Sequence, residues 1–203
     1  MFYYIKMCWN ASVSINTFLF STFAVILAVG NNVLSPVQAL FYMSFISMQF
    51  IEYLIWSKTF SNRNLSMISL LLIVSQPIFS LLCIKDKNLL FPLLIGYSLF
   101  VVYILSRWNT IDFRTIKSSN GHLSWKWLDF PVIGILIWMF FFFISFIINK
   151  TYLYLISGLI IVIACYVLFH ETQTWGSLWC WISNAVAIIL LYLVFSKDIC
   201  IKY

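Results

Sequence analysis

The chain reads as all-α, a polytopic membrane protein built as a bundle of seven transmembrane helices. Three observations predict this. Of its 203 residues 63% are hydrophobic and only 9% are charged, whereas about 25% are charged in soluble domains. Apolar runs of roughly 20 residues recur along it, each long enough at 1.5 Å per residue to cross the ~30 Å hydrocarbon core of a bilayer. Apart from one longer loop, the segments between them are short polar turns, so residues 1–203 form a single transmembrane domain with no room for a separate soluble one.

The net charge of +6 does not point to nucleic acid, because the basic residues are scattered between apolar runs and form no patch. They read as topology signals and headgroup contacts, which makes the lipid bilayer the expected partner and leaves room for a homo-oligomer. No residue pattern names a cofactor.

Residues 1–6 are an aromatic lead-in, and the first span covers about 11–30, too long for a cleavable signal. Met7 stands as an alternative start to Met1. Ser35-Pro36 interrupts the helix and opens the second span, about 37–56, with proline at a first-turn position. The third span, about 65–84, carries Pro77 near its middle, so it should kink and free a carbonyl that a neighbour must satisfy. The fourth covers about 88–106. The long connection 107–130 contains an alternating Gly121–Trp127 stretch that suits an extended segment or a small hairpin at the interface. The fifth span, about 131–148, is so rich in Phe, Ile and Trp that it reads as a lipid-facing wall. The sixth, about 151–169, and the seventh, about 175–196, are joined by the polar link His170–Thr174.

Seven alternating spans put the termini on opposite sides. Seven of the twelve basic residues then fall on the amino-terminal side and five on the other, which barely favours an orientation. The same alternation collects Cys8, the end of span two, the His122 loop, the His170–Thr174 link, Ser177 and Cys180 on the amino-terminal side.

Gln49 and Glu52, with Trp56 one turn further, stand out inside an otherwise apolar run and share a helix stripe. A carboxylate within a membrane-length helix costs roughly 2.5–3.5 kcal/mol on insertion scales, which marks it as a functional candidate facing the protein interior. Its bland alternative is an acid hydrogen-bonded between helices. Glu52 lies about four residues, or about 6 Å, from its span's end. Gln76, Gln173, Ser177 and Asn184 complete a polar vestibule reaching inward, or else merely fix packing by single interhelical hydrogen bonds. The sequence further allows a disulfide or thiol pair between Cys8 and Cys180. It offers only His122 and His170, both expected at the surface, as weak metal ligands.

Three blocks carry a resemblance: Met7-Cys8-Trp9-Asn10-Ala11-Ser12-Val13-Ser14, then Gln49-x-x-Glu52-x-x-x-Trp56, then Ser177-Leu178-Trp179-Cys180. In this order they resemble a family of polytopic membrane proteins without an assigned activity. Its bacterial members open Met-Cys-x-x-Ala-x-Ala-Ser and carry a Gln-x-x-Glu-x-x-x-Trp-like stretch and a later Ser-Leu-Trp-Cys. The resemblance implies that Cys8, Gln49, Glu52, Trp56, Ser177, Trp179 and Cys180 matter, and that the amino terminus lies outside. This sequence lacks the basic cluster that relatives commonly place between spans one and two.

Three functions compete. The first is a channel or transporter for protons or small cations with an acidic vestibule at Glu52. The second is an intramembrane metal- or thiol-dependent enzyme. The third is a receptor or non-covalent binder of a hydrophobic small molecule, since the seventh span has no lysine for retinal attachment.

Overall fold

The computed structural model describes residues 10–200; the side chains of residues 178–180 and 197–200 lie outside the description. The fold is 77% helix. In chain order come α1 (Ala11–Gly30), α2 (Pro36–Ser57), α3 (Asn62–Leu81) and α4 (Lys87–Ser106), then strands β1 (Thr115–Lys117) and β2 (Leu123–Trp125), then α5 (Val132–Ile148), α6 (Tyr152–Phe169) and α7 (Trp179–Cys200). Six of the helical segments are long and apolar enough to cross a membrane, while α5 is shorter at 17 residues.

The local chemistry sets the ends. Ser35 caps α2 in a reciprocal box with Gln38, Pro36 supplies the first turn, and Lys58 ends the helix in the left-handed region at φ 54°. α3 starts three residues earlier than its hydropathy suggests. The cause is the Asn62 side chain, which pairs with the backbone of Thr115 in both directions, at 2.8 and 3.0 Å, and so ties the first helical residue to β1. The seventh span begins as a 3₁₀ turn, Trp175–Leu178, where Gly176 lies so close to the hairpin that an added Cβ would meet Leu128 at 2.6 Å.

α2 sits at the centre, against α1, α3 and α7. α1 also packs on α7, and it presents Ser14, Thr17, Ser21, Ala24 and Ala28 inward. Small side chains at this alternating three-and-four spacing let backbones approach closely. Ser21 accordingly donates to the Ser183 carbonyl of α7 at 3.1 Å.

Pro77 removes the donor that the Ile73 carbonyl would otherwise receive. The indole of Trp138 on α5 replaces it, donating to that carbonyl at 3.0 Å, and the Tyr97 hydroxyl of α4 donates to the next carbonyl, Val74, at 2.7 Å. This overturns the reading of span five as an outer wall. Gly134, Trp138, Phe142 and Ser145 form a buried stripe on α5 packed against α3. The outward-facing helices are instead α4 and α6, whose apolar windows are only 11% and 6% buried, against 50% and 56% for α2 and α3. Uniform hydropathy could not distinguish them, because a helix that is apolar all round shows no preferred face.

The long connection does fold into a small hairpin, with Thr115 opposite Trp125 and Gly121 turning the chain at φ 88°. The hairpin is docked on both sides. Ser66 of α3 meets Thr115 hydroxyl to hydroxyl at 2.7 Å. Beyond β2, Trp125 N–H donates to the Gln173 carbonyl at 3.1 Å and Asn120 donates to Thr174 at 2.9 Å.

Trp138→Phe is expected to lower stability by about 1–3 kcal/mol, because it leaves a buried carbonyl without any donor. Tyr97→Phe should cost less, since Val74 keeps its own place in the helical ladder. Thermal unfolding of both variants in detergent checks the order, and equal losses would remove the special role of the proline-freed carbonyl.

Candidate functional site

Glu52 is completely buried in the last third of α2. Its carboxyl lies beside the hydroxyls of Ser14 on α1 and Ser177 in the 3₁₀ turn before α7, near enough for their dipoles to act on it. Neither oxygen completes a hydrogen bond. For Ser177 the reason is visible: its one proton goes to the Leu123 carbonyl at 2.7 Å, and its oxygen accepts the Trp125 indole N–H at 2.9 Å. Its hydroxyl is committed to the hairpin and has no proton left for the acid. No cation answers the carboxyl either, since the one ion pair among the described residues is the exposed Arg114–Asp112 pair at 2.6 Å, where the guanidinium holds the Asp112 carboxyl below its ordinary range.

The neighbouring stripe is equally unsatisfied. One turn deeper on α2, both ends of the buried Gln49 amide lack partners. One turn toward the hairpin, so does the Trp56 indole nitrogen. Ser14 and, on α7, Ser183 also have hydroxyls without partners. Buried polar atoms are paired in the great majority of cases, so several orphans along one seam mark a place where the fold gives up stability. The seam runs where α1, α2 and α7 meet, with α3 against the far side of α2.

The structure therefore unites part of the expected vestibule. Glu52 and Ser177 come together as the alternation of spans requires, and Gln49 and Trp56 share their stripe. Gln76 has one end of its amide on the Ser44 carbonyl of α2 at 3.4 Å and the other unpartnered. Asn184 and Gln173 make their hydrogen bonds elsewhere. Asn184 donates to Thr17 on α1 at 3.2 Å, and Gln173 accepts from Lys126 at 2.6 Å as part of the hairpin's docking. Cys8 lies outside the described residues and the Cys180 side chain is not described.

His122 is not a surface residue: it is 6% exposed, because the Asn120 side chain turns the tip of the hairpin inward, accepting from the His122 N–H at 3.1 Å, and its ring packs on Phe169. His170 is exposed and stacks on Tyr166 at 5.1 Å. No three His, Cys, Asp or Glu side chains converge as a metal-ligand set among the described residues.

Ser14, beside the acid, and Trp125, bonded to Ser177, are not among the candidates that the sequence singles out. A signal for Ser14 existed, the small-residue spacing of α1; for Trp125 there was none, since the alternation of a short hairpin does not say which face it presents.

Compared with family models, curated proteins and solved structures, the chain matches none.

An acid that makes no hydrogen bond costs stability that an apolar group of similar size would restore. Glu52→Leu is expected to raise the unfolding temperature, with a gain of about 1–3 kcal/mol. Thermal denaturation in detergent measures it. A loss of stability instead would show that the carboxyl holds helices together.

Proposed function

We propose that this is a seven-span integral membrane protein of the channel or transporter class that moves protons or small cations, with Glu52 as the group that receives the moving charge. One observation carries the reading: a wholly buried carboxyl, without hydrogen bond or cation, set in a seam of other unpartnered polar groups. Ionisable groups at such positions inside membrane bundles are rare and mark ion pathways and proton relays.

The surroundings give that pathway a direction. Toward the hairpin the acid is closed off by Ser177 and the fully buried Trp125. Toward the opposite end, Gln49 follows one turn further along α2, while Gln76 and Ser80 lie on the buried face of the neighbouring α3. At that end of α2 lies a cleft of about 350 Å³ whose lining includes Gln38, Tyr42, Ser80, Lys85, Ser145 and Asn149. Glu52 and Gln38 are fourteen positions apart on one helix, roughly 21 Å at 1.5 Å per residue. In this reading the charge reaches the acid from that end, and the docked hairpin caps the other. α5 completes the seventh crossing despite its 17 residues, because at about 25 Å it needs only a modest local thinning of the bilayer. The amino terminus is placed outside on the family resemblance.

Purified protein in liposomes loaded with a pH-sensitive dye tests this. Wild type is expected to dissipate an imposed proton or cation gradient. Glu52→Gln keeps the side chain's shape and removes its titratable proton, so it should fall to the leak of empty liposomes while folding and assembling normally. Wild-type flux that Glu52→Gln leaves unchanged, or no flux of protons, sodium or potassium at either acidic or neutral pH, sinks the proposal.

A further inference from the structure

A groove of about 810 Å³ lies away from Glu52, between α4 and α5. Its walls are apolar over their length: Gly96, Phe100 and Ile104 on α4 face Ile133, Gly134 and Ile137 on α5. Its mouth is charged. Arg107 and Lys126 stand there with Asp112 and Asp129. Asp112 is taken by Arg114 and Lys126 is anchored to Gln173, whereas Arg107 makes no ion pair among the described residues. Between the mouth and the walls sits Trp127, 2% exposed, whose indole nitrogen has no hydrogen-bond partner.

We infer that this groove holds a membrane phospholipid whose headgroup carries an amine beyond its phosphate. The inference rests on the membrane reading and not on the role of Glu52. Depth argues for an acyl chain: from Arg107 to Gly96 is eleven positions along α4, about 16 Å, roughly half of the ~30 Å hydrocarbon thickness and thus one leaflet. Volume agrees, since pockets for small amphiphiles span about 300–1,000 Å³. The guanidinium of Arg107 suits a phosphate, and basic pockets between transmembrane helices bind such heads. The remaining carboxylate, Asp129, decides the head. A purely anionic lipid would meet Asp129 with like charge, whereas an ethanolamine-type ammonium pairs with it.

Native mass spectrometry of the purified chain, titrated with phosphatidylethanolamine, phosphatidylcholine and phosphatidylglycerol of one acyl composition, tests the assignment. Phosphatidylethanolamine should be retained most strongly. Exposed Arg107→Gln should weaken its retention by about tenfold with the fold intact. Asp129→Asn should shift preference toward phosphatidylglycerol, and Gly134→Leu, which fills the groove, should abolish retention of all three. Should Gly134→Leu not fold, Ile133→Trp, at an exposed position of the same wall, serves in its place by narrowing the groove and weakening retention. Equal retention of the three lipids, or unchanged binding by Arg107→Gln, overturns the proposal, as does a preference for phosphatidylglycerol in the wild type.

Discussion

A carbonyl buried in an apolar bundle must find a donor, and Pro77 takes one away in the middle of α3. Much of the arrangement follows from how that deficit is met. Trp138 can reach Ile73 only if α5 lies along α3 with its Gly134–Trp138–Phe142–Ser145 stripe inward, and Tyr97 reaches the adjacent carbonyl from α4. Ser80 and Ser145 then meet at 2.6 Å one turn beyond the proline, extending the α3–α5 contact toward the opposite face. With that flank of α3 occupied, α2 closes the other, and the small residues of α1 bring it into the remaining angle between α2 and α7. α4 and α6 are left on the outside.

Against this careful pairing, the seam around Glu52 is an exception that the fold does not need. The same bundle that supplies an indole to a single freed carbonyl leaves a carboxyl, an amide and two hydroxyls without partners nearby. Ser177 shows that the difference is one of allocation: its hydroxyl lies beside the acid, yet it spends both its donor and an acceptor site on the hairpin. Orphaned groups concentrated beside well-satisfied ones are what a site shaped for something other than stability looks like.

What the sequence made legible follows from which signals survive in an apolar chain. Helix number and rough extent come from the run lengths. The Pro36 start and the Ser35 cap come from local chemistry that needs no partner. The meeting of Glu52 with Ser177 came from span alternation alone. What stayed hidden is rotation. In a soluble helix the polar face reports the core by contrast, but α5 is apolar all round, so its inward stripe depended on a partner 65 residues away in α3. His122 was misplaced for a related reason, since the burial of a hairpin tip is set by Asn120 and by docking on the α6–α7 link. Counting residues gives Asn184 and Gln173 a depth but not their partners, which are Thr17 on α1 and Lys126 beyond the hairpin.

The hairpin connects the two proposed sites in a way neither explains alone. Trp125 and Trp127 are two positions apart, their rings meet edge to face at 5.2 Å, and they look into different places: Trp125 caps Ser177 above the acid, Trp127 lines the α4–α5 groove. Proximity is not coupling; coupling needs an element with two arrangements that both sites bias. The hairpin meets the structural half of that condition. Its strands have three residues each, and it is held to α3 and to the α6–α7 link largely by side-chain and single backbone hydrogen bonds, each worth only about 1 kcal/mol net. A lipid head held at Arg107 beside Trp127 would press on the turn that directly follows the strand whose Leu123 and Trp125 take up the Ser177 hydroxyl. Release of that hydroxyl would add a second donor to the Ser14 hydroxyl already beside Glu52, so occupancy of the groove would act on the acid through Ser177 Oγ.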